Sequence, residues 1–282
     1  MTRRRRSFEE IRIRTWDDYQ RVLAERQLDG WAFRGQASSE WPLYSSLSRY
    51  LRSFGIHVRA WAEQEARIIR IFRRKAHLFL THTPAEGDTF EWLALMQHHG
   101  APTRLLDFTW SPYVAAFFAL EHATSEAAVW LMHPRVVRAH AERELEDAGV
   151  DGKSLGTWFE GVFERLHLRN IYRIVNLGEA FRMNQRLIAQ SGTFATPGVL
   201  DVPLEELVPH EAIIKLRIDT KRTRDAAMRD LYLMNMTHAT LFPDLDGLAR
   251  SLAYELENHW AFDPRTMKPR PGFETQTLED SE

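Results

Sequence analysis

The chain has 282 residues, 44% of them hydrophobic, and a formal net charge of −2 at pH 7. That length can bury one sizeable core, and the near-neutral charge excludes a globally basic nucleic-acid-binding coat. The absence of cysteine excludes disulfides, thiol nucleophiles and cysteine-ligated metal sites. No apolar run approaches the roughly 18 residues of a membrane-spanning helix, so we expect a cytoplasmic protein without a membrane partner.

The two ends of the sequence differ in composition from the rest. The four arginines at 3–6 are not followed by an apolar run, so we expect a basic disordered arm over residues 1–9 and not a signal peptide. Contacts from that arm to phosphate are the alternative. Prolines and acidic residues predict a disordered tail over residues 263–282. Between them we expect one compact domain over residues 10–262, with a weakly patterned insertion at 142–161.

Hydrophobic periodicity and capping residues predict the regular elements. In the first half these are a strand at 11–13, a helix from Thr15 to Leu28, a strand at 31–33, helices at 61–80 and 91–96, a helix opened by Ser111 and Pro112, and a strand at 127–132. In the second half they are a helix at 186–190, strands at 192–195 and 212–218, a helix at 224–234, a strand at 239–242 and a helix at 248–256. This order predicts an α+β fold with a small mixed or antiparallel sheet flanked by helices.

The segment at 97–109 carries the most polar chemistry and lies between two apolar helical patterns. Gly100 and Pro102 predict the end of the preceding helix. A polar loop held between buried helices is where a rigid scaffold often presents functional groups. The alternative is a connection whose polar groups only cap helices and bond each other. Burying Arg104 and Asp107 without a purpose would be costly, which favours the functional interpretation.

Three blocks of the sequence resemble the FRG domain family, which is named after a Phe-Arg-Gly tripeptide. They are the segment from Phe33-Arg34-Gly35 to Arg49, the segment at 97–119, and LFPDLDGL at 241–248. The resemblance spans residues 10–255. The sequence departs from the family pattern at Phe108, where Trp is more usual, and at Tyr44, near an expected proline.

Arg34 directly follows three apolar residues at the end of a predicted strand. It is either paired with a carboxylate such as Asp107 or held to bind an anionic ligand through its planar fork. Gly35 would allow backbone or ligand to approach closely. We expect Asp107 to be ionised and paired with Arg34 or Arg104. We also expect one cleft to contain Arg34, Thr103, Arg104, Asp107 and Thr109.

Other polar residues complete the predicted site. Arg186 and Gln190 are four apart and share a helix face, although a solvated face would explain them equally well. The adjacent His98 and His99 are a weak metal signal because neighbouring helical residues do not face each other, so no metal site is predicted. The predicted catalytic residues are Arg34, His99, Asp107, Thr109 and Gln190. The predicted ligand-binding residues are Gly35, Gln36, Gln97, Thr103, Arg104 and Arg186.

The order of these parts is similar to that in ADP-ribosyltransferases, where an Arg or His on the first strand binds NAD, a Ser or Thr follows on a later strand, and a late Glu or Gln completes the site. The similarity to ADP-ribosyltransferases implies a nucleotide-handling effector, most sharply an ADP-ribosyltransferase-like enzyme that consumes NAD as its substrate. The resemblance to the FRG family implies that this effector acts in a toxin or phage-defence setting. No other cofactor is implied. No late glutamate lies in a recognisable motif, so Gln190 or Glu255 would have to serve.

The alternative function is a non-catalytic module. Such a module would bind a nucleotide or a nucleic acid and regulate a protein partner. Basic residues at 3–6, 73–75 and 221–222 could then supply phosphate contacts.

Overall fold

The computed structural model describes residues 8–155, 161–257, 259 and 261–270. The strands are β1 (Glu9–Ile13), β2 (Ala32–Gln36), β3 (Leu106–Thr109), β4 (Ala127–Met132), β5 (Val175–Gly178), β6 (Gly192–Pro197) and β7 (Ile213–Ile218). The helices are α1 (Trp16–Glu25), α2 (Ser46–Ser53), α3 (Trp61–Ala76), α4 (Thr89–His98), α5 (Pro112–Leu120), α6 (Pro134–Asp147), α7 (Gln185–Ala189), α8 (Thr220–Leu233), α9 (His238–Leu241) and α10 (Leu245–Glu257).

The described strands form one mixed sheet in the order β1-β7-β4-β2-β3-β6-β5. β1 and β7 pair in parallel, and the other neighbours pair antiparallel. The architecture is therefore α+β, as the sequence predicts. Within the described residues, no helix combines the length and the apolar character needed to cross a membrane.

Helices cover both faces of the sheet. Because side chains alternate along a strand, Phe33 and Leu131 point to one face and pack with the buried sides of α1, α5 and α8. Ala32 and Trp130 point to the opposite face, where they pack with Val137 of α6. The helix α5 is apolar on nearly all sides because it lies between the sheet and the outer helices.

A buried ion pair lies between α3 and the end of β6. Arg104 and Glu65 are both completely buried. Arg104 Nε donates to Glu65 Oε1 at 2.8 Å, and a second guanidinium nitrogen donates to the other carboxylate oxygen. Arg104 Nη1 donates to the Pro197 carbonyl at 2.8 Å, so the pair ties α3 to β6.

The imidazole of His167 is buried near Arg104, and burial together with that cation lowers its pKa to about 3. Below its ordinary pKa of 6.5 the unfolded chain therefore binds a proton that the folded chain excludes. We expect the free energy of unfolding to fall by roughly 1 kcal/mol for each pH unit below 6.5, down to the folded-state pKa. Urea unfolding at successive pH values measures the slope. The variant His167→Phe should have a shallower slope and the exposed control His210→Gln should not; equal slopes would contradict the prediction.

Most predicted elements are confirmed. Thr15 caps α1 by accepting from the Asp18 amide, and Ser111 caps α5 by accepting from the Val114 amide. The α1 helix ends at Glu25, before the predicted Leu28.

Two predictions about elements are wrong, and three elements were not predicted. The strand predicted at 239–242 is wrong because Thr237 and Thr240 form a reciprocal capping box that opens α9. The segment at 97–109, interpreted as a loop, contains β3. The elements that were not predicted are α2, α6 and β5.

The predicted termini and insertion are only partly covered by the described residues. β1 already begins at Glu9, whereas residues 1–7 lie outside. The helix α6 enters the predicted insertion and buries Leu145 there, while residues 156–160 lie outside. In the predicted tail, Pro269 forms a β-bridge with Phe262, and residues 271–282 lie outside.

Candidate functional site

The sheet divides between β2 and β3. These strands meet at one residue pair, Phe33 opposite Thr109, whereas β2 and β4 pair over five residues. The helix α5 packs directly across the junction, and the gap between the diverging strands opens into a cleft. At this gap the Asp107 carbonyl accepts from a side chain, that of Arg34, in place of a strand partner.

The Arg34 side chain reaches across the gap from β2 to β3. Its Nη1 donates to the backbone carbonyl of Asp107 at 2.6 Å. Its Nε is buried and has no hydrogen-bond partner among the described residues. Burial lowers the Arg34 pKa from its ordinary value and the nearby Asp107 charge opposes that effect, yet the guanidinium stays charged at neutral pH. Arg34 is therefore a cation with N–H donors that remain available to a ligand.

A chain of side-chain hydrogen bonds fixes the Asp107 carboxylate. Thr103 Oγ1 donates to Gln97 Oε1 at 2.6 Å, and Gln97 Nε2 donates to Asp107 Oδ2 at 3.0 Å. The Leu105 amide donates to the Thr103 hydroxyl and so holds Thr103, the first residue of this chain of hydrogen bonds, in place. Asp107 is exposed to the cleft. The chain leaves Oδ1 of a positioned carboxylate available to a ligand.

Thr109 and Gln190 join the end of β3 to the end of α7. The buried Thr109 hydroxyl donates to the Gln190 backbone carbonyl at 2.6 Å and accepts from the Ser111 amide at 3.0 Å. The Gln190 side-chain amide donates to the Leu241 carbonyl at 3.0 Å. Both side chains line the cleft. The proton and one lone pair of the Thr109 hydroxyl are used in these bonds, so this residue supports the wall of the cleft.

Arg186 supplies a second cation to the same cleft. Its guanidinium lies over the Phe242 ring, with the guanidinium carbon 4.5 Å from the ring centroid. It forms no ion pair or hydrogen bond with the other residues that the structure describes. A planar cation stacked on an aromatic ring is held in place while its edge stays open to an anion.

The cleft has a volume of about 210 Å³. Arg34, Asp107, Thr109, Arg186 and Gln190 form its polar side, and α5 contributes apolar side chains that include Phe118. A smaller adjoining pocket shares Asp107, Arg186 and Gln190 with it, and adds Gln97, His98 and Asn184. Two cations, one carboxylate and three side-chain amides therefore converge on one concave surface.

The structure places His98 and not His99 at this pocket. His99 caps the end of α4 and is exposed, whereas His98 lines the adjoining pocket. Burial, followed by the charges of His99 and Arg186, lowers the His98 pKa, and His98 Nδ1 has no partner among the described residues. His98 is thus neutral at pH 7. The spacing along α4 distinguishes the two histidines, because His98, like Ala94 and Gln97, lies on the side of the helix that lines this pocket.

Three predicted ligand-binding residues hold the fold together. Arg104 pairs with Glu65 and does not line the cleft. The Asp107 carboxylate accepts from Gln97, and Arg34 donates to the Asp107 backbone carbonyl, so neither predicted ion pair of Asp107 forms. Gln36 is buried and accepts from the Trp130 indole at 2.8 Å. Gly35 lines the cleft, and a Cβ there would lie 2.0 Å from the Ala115 carbonyl oxygen of α5, so the helix approaches this glycine closely.

Some residues that build the cleft were not predicted at all. Phe242 contacts Arg186, and the Leu241 carbonyl accepts from Gln190, so the late LFPDLDGL block positions two side chains that line the cleft. Glu255 instead accepts from the Tyr232 hydroxyl and does not line the cleft. Of the two late residues considered from the sequence, Gln190 is the one that lines the cleft.

One group outside the cleft resembles a metal site. Glu121, His122 and His238 each place a ligand atom within 4.8 Å of the others. However, His238 Nε2 contacts the Glu121 carboxylate, and its Nδ1 is buried without a described partner. A metal ion on Nε2 would force a proton onto that Nδ1, whereas metal-bound histidines usually donate this N–H to a partner. The contact with Glu121 therefore occupies the His238 nitrogen that a metal ion would need.

Comparison with known families agrees with the sequence blocks at 33–49 and 97–119. Residues 29–128 match the family model of the FRG domain. Over these residues the chain is similar to the FRG domain. No curated protein and no solved structure matches the chain. The matched FRG region supplies Arg34, Asp107 and Thr109, whereas Arg186, Gln190 and the late block lie beyond its end.

The tripeptide that names the FRG domain has three separate roles. Phe33 is buried in the core under α5, Arg34 crosses the gap to Asp107, and Gly35 lets the backbone of α5 lie against β2. The first and third residues therefore position the second at the cleft.

Proposed function

We propose that the cleft of this protein binds the phosphates of a nucleotide between Arg186 and Arg34. The observation that carries this proposal is the Arg186 guanidinium, which is stacked on Phe242 and unpaired among the described residues. Arg34 adds a second guanidinium with an unpartnered buried N–H. Guanidinium groups bind phosphate through paired N–H donors, and two of them suit a diphosphate.

We further propose that the bound nucleotide is NAD and that the reaction is of the ADP-ribosyltransferase type. When the bond between ribose C1′ and nicotinamide breaks, its electron pair leaves with nicotinamide and positive charge develops on the ribose. The free oxygen of Asp107 would stabilise that charge, because the Thr103–Gln97 chain already orients the carboxylate. A water molecule or an acceptor nucleophile then bonds to C1′ and releases a proton to solvent.

Nicotinamide release from NAD by the purified protein tests this proposal. Asp107→Asn should lower the turnover rate about a hundredfold with little change in affinity, because it removes charge stabilisation in the transition state. Arg186→Gln should instead weaken NAD binding at least about tenfold, since a charge-assisted contact is lost. Matched controls are Asp29→Asn and Arg182→Gln, which are exposed outside the cleft and should match the parent.

Ligand-induced melting shifts separate the two proposed functions. A shift by NAD or ADP that Arg186→Gln abolishes, without nicotinamide release, would assign the cleft to a non-catalytic regulatory module. An absence of both turnover and melting shifts with nucleotides would contradict nucleotide binding itself. An NAD-consuming activity would in turn suit a toxin or phage-defence effector, because depletion of NAD arrests the cell that contains it.

A further inference from the structure

Helix α3 presents an arginine face that the cleft does not use. Residues 49–75 contain eight Lys or Arg and two Glu, although the whole chain has a net charge of −2. Arg67, Arg70 and Arg74 are exposed and spaced three and four apart, so they share one side of the helix. Their guanidinium groups form no ion pair or hydrogen bond with another residue in the described ranges. One of the two glutamates, Glu65, is already neutralised by Arg104.

An apolar groove runs beside this arginine face. It has a volume of about 310 Å³, and its lining includes Ile71, Phe72 and Phe79, together with Met96 of α4. At about 100° per residue, Ile71 and Lys75 lie between the arginines and the centre of the groove. Phe79 is 84% exposed, which is unusual for a large aromatic side chain. The cationic face and the groove thus form one continuous surface, which we name the α3 surface.

We propose that the α3 surface binds single-stranded nucleic acid. The arginines are about 4.5 Å and 6 Å apart along the helix axis, a spacing that lets each contact a different backbone phosphate. Unpaired bases would then lie against Ile71 and stack on Phe79, because every base offers a flat face to an aromatic ring. A duplex hides those faces, so it would use the arginines but not the groove. This inference does not depend on the proposed function of the cleft.

Fluorescence anisotropy with a labelled single strand of mixed sequence, about 20 nucleotides long, tests the proposal in DNA and RNA form. The full chain carrying Arg67→Gln, Arg70→Gln and Arg74→Gln should bind at least about tenfold more weakly at about 100 mM salt. The slope of log affinity against log salt should also become less negative by about 2, since each lost phosphate contact contributes about 0.7. Phe79→Ala should weaken single-strand binding about fivefold or more and leave that slope unchanged.

The matched control changes the same charge on another helix. Arg135→Gln, Arg138→Gln and Arg143→Gln remove three exposed cations from α6 and should leave binding near that of the parent. Equal losses in both triple variants, or no binding at low salt, would overturn the proposal. Duplex binding as tight as single-strand binding would also overturn it, as would binding of an acidic helical peptide in place of the strand. Melting curves confirm that each variant is folded, and nicotinamide release without nucleic acid reports on the cleft separately.

Discussion

Replacing Glu65 by alanine is expected to destabilise the protein more than any other single side-chain truncation described above. The substitution leaves the Arg104 guanidinium completely buried without its carboxylate partner. Breaking one side of a buried pair costs about 3–5 kcal/mol. Because a domain is stable by only about 5–15 kcal/mol, urea unfolding at pH 7 should show a large fall in the midpoint.

Two further variants separate the ion pair from other effects of the substitution. Glu63→Ala removes an exposed acid from the first turn of the same helix and should cost less than about 1 kcal/mol. The double variant Glu65→Leu with Arg104→Met replaces the pair with apolar side chains and should recover most of the lost stability. If Glu65→Ala unfolds at the same urea concentration as Glu63→Ala, the pair does not stabilise the fold.

Gly35→Ala is expected to prevent normal packing of α5 on the sheet. The added methyl group would lie 2.0 Å from the Ala115 carbonyl oxygen and 2.6 Å from the Ala119 amide nitrogen. Both are backbone atoms, so no change of rotamer relieves the contact, and α5 must move away from β2. Overpacking a core costs about 1–3 kcal/mol and occasionally more, and we expect a loss at the upper end of that range. Thermal unfolding measures the loss, and low yield of folded protein would accompany it.

The control for this glycine is Gly55→Ala. A Cβ there meets nothing within 4 Å, although the positive φ of +64° adds about 1 kcal/mol of strain. Gly35→Ala should therefore be clearly the less stable variant. A Gly35→Ala protein that melts like the parent but no longer binds its ligand would instead support the interpretation from the sequence, in which a ligand approaches this glycine.

Local signals in the sequence predicted most of the elements, because capping residues and apolar spacing act over a few residues. The cap residues Thr15 and Ser111 are examples. The same signal was present at Thr237 and Thr240, where the capping box that opens α9 could have been recognised. The strand β3 was missed because four residues between polar neighbours give too short a pattern.

The candidate site was predictable only where its residues cluster in the sequence. Arg34, Asp107 and Thr109 lie in two dense motifs, and the structure brings them to one cleft. The partner of Arg104 lies 39 residues away in the sequence, and nothing in the local pattern identifies Glu65. Likewise, the ring under Arg186 comes from Phe242, on a distant turn. Such roles depend on tertiary contacts that a single sequence does not display.

The single residue pair between β2 and β3 divides the sheet into a four-strand part and a three-strand part. A continuous ladder resists sliding and twisting through many parallel hydrogen bonds, whereas this junction relies on one pair, the Arg34 contact to Asp107 and the packing of α5. The junction is therefore the most compliant line across the sheet. A ligand bound between Arg34 and Arg186 would contact both parts of the sheet at once, so its binding would change the angle between the two parts.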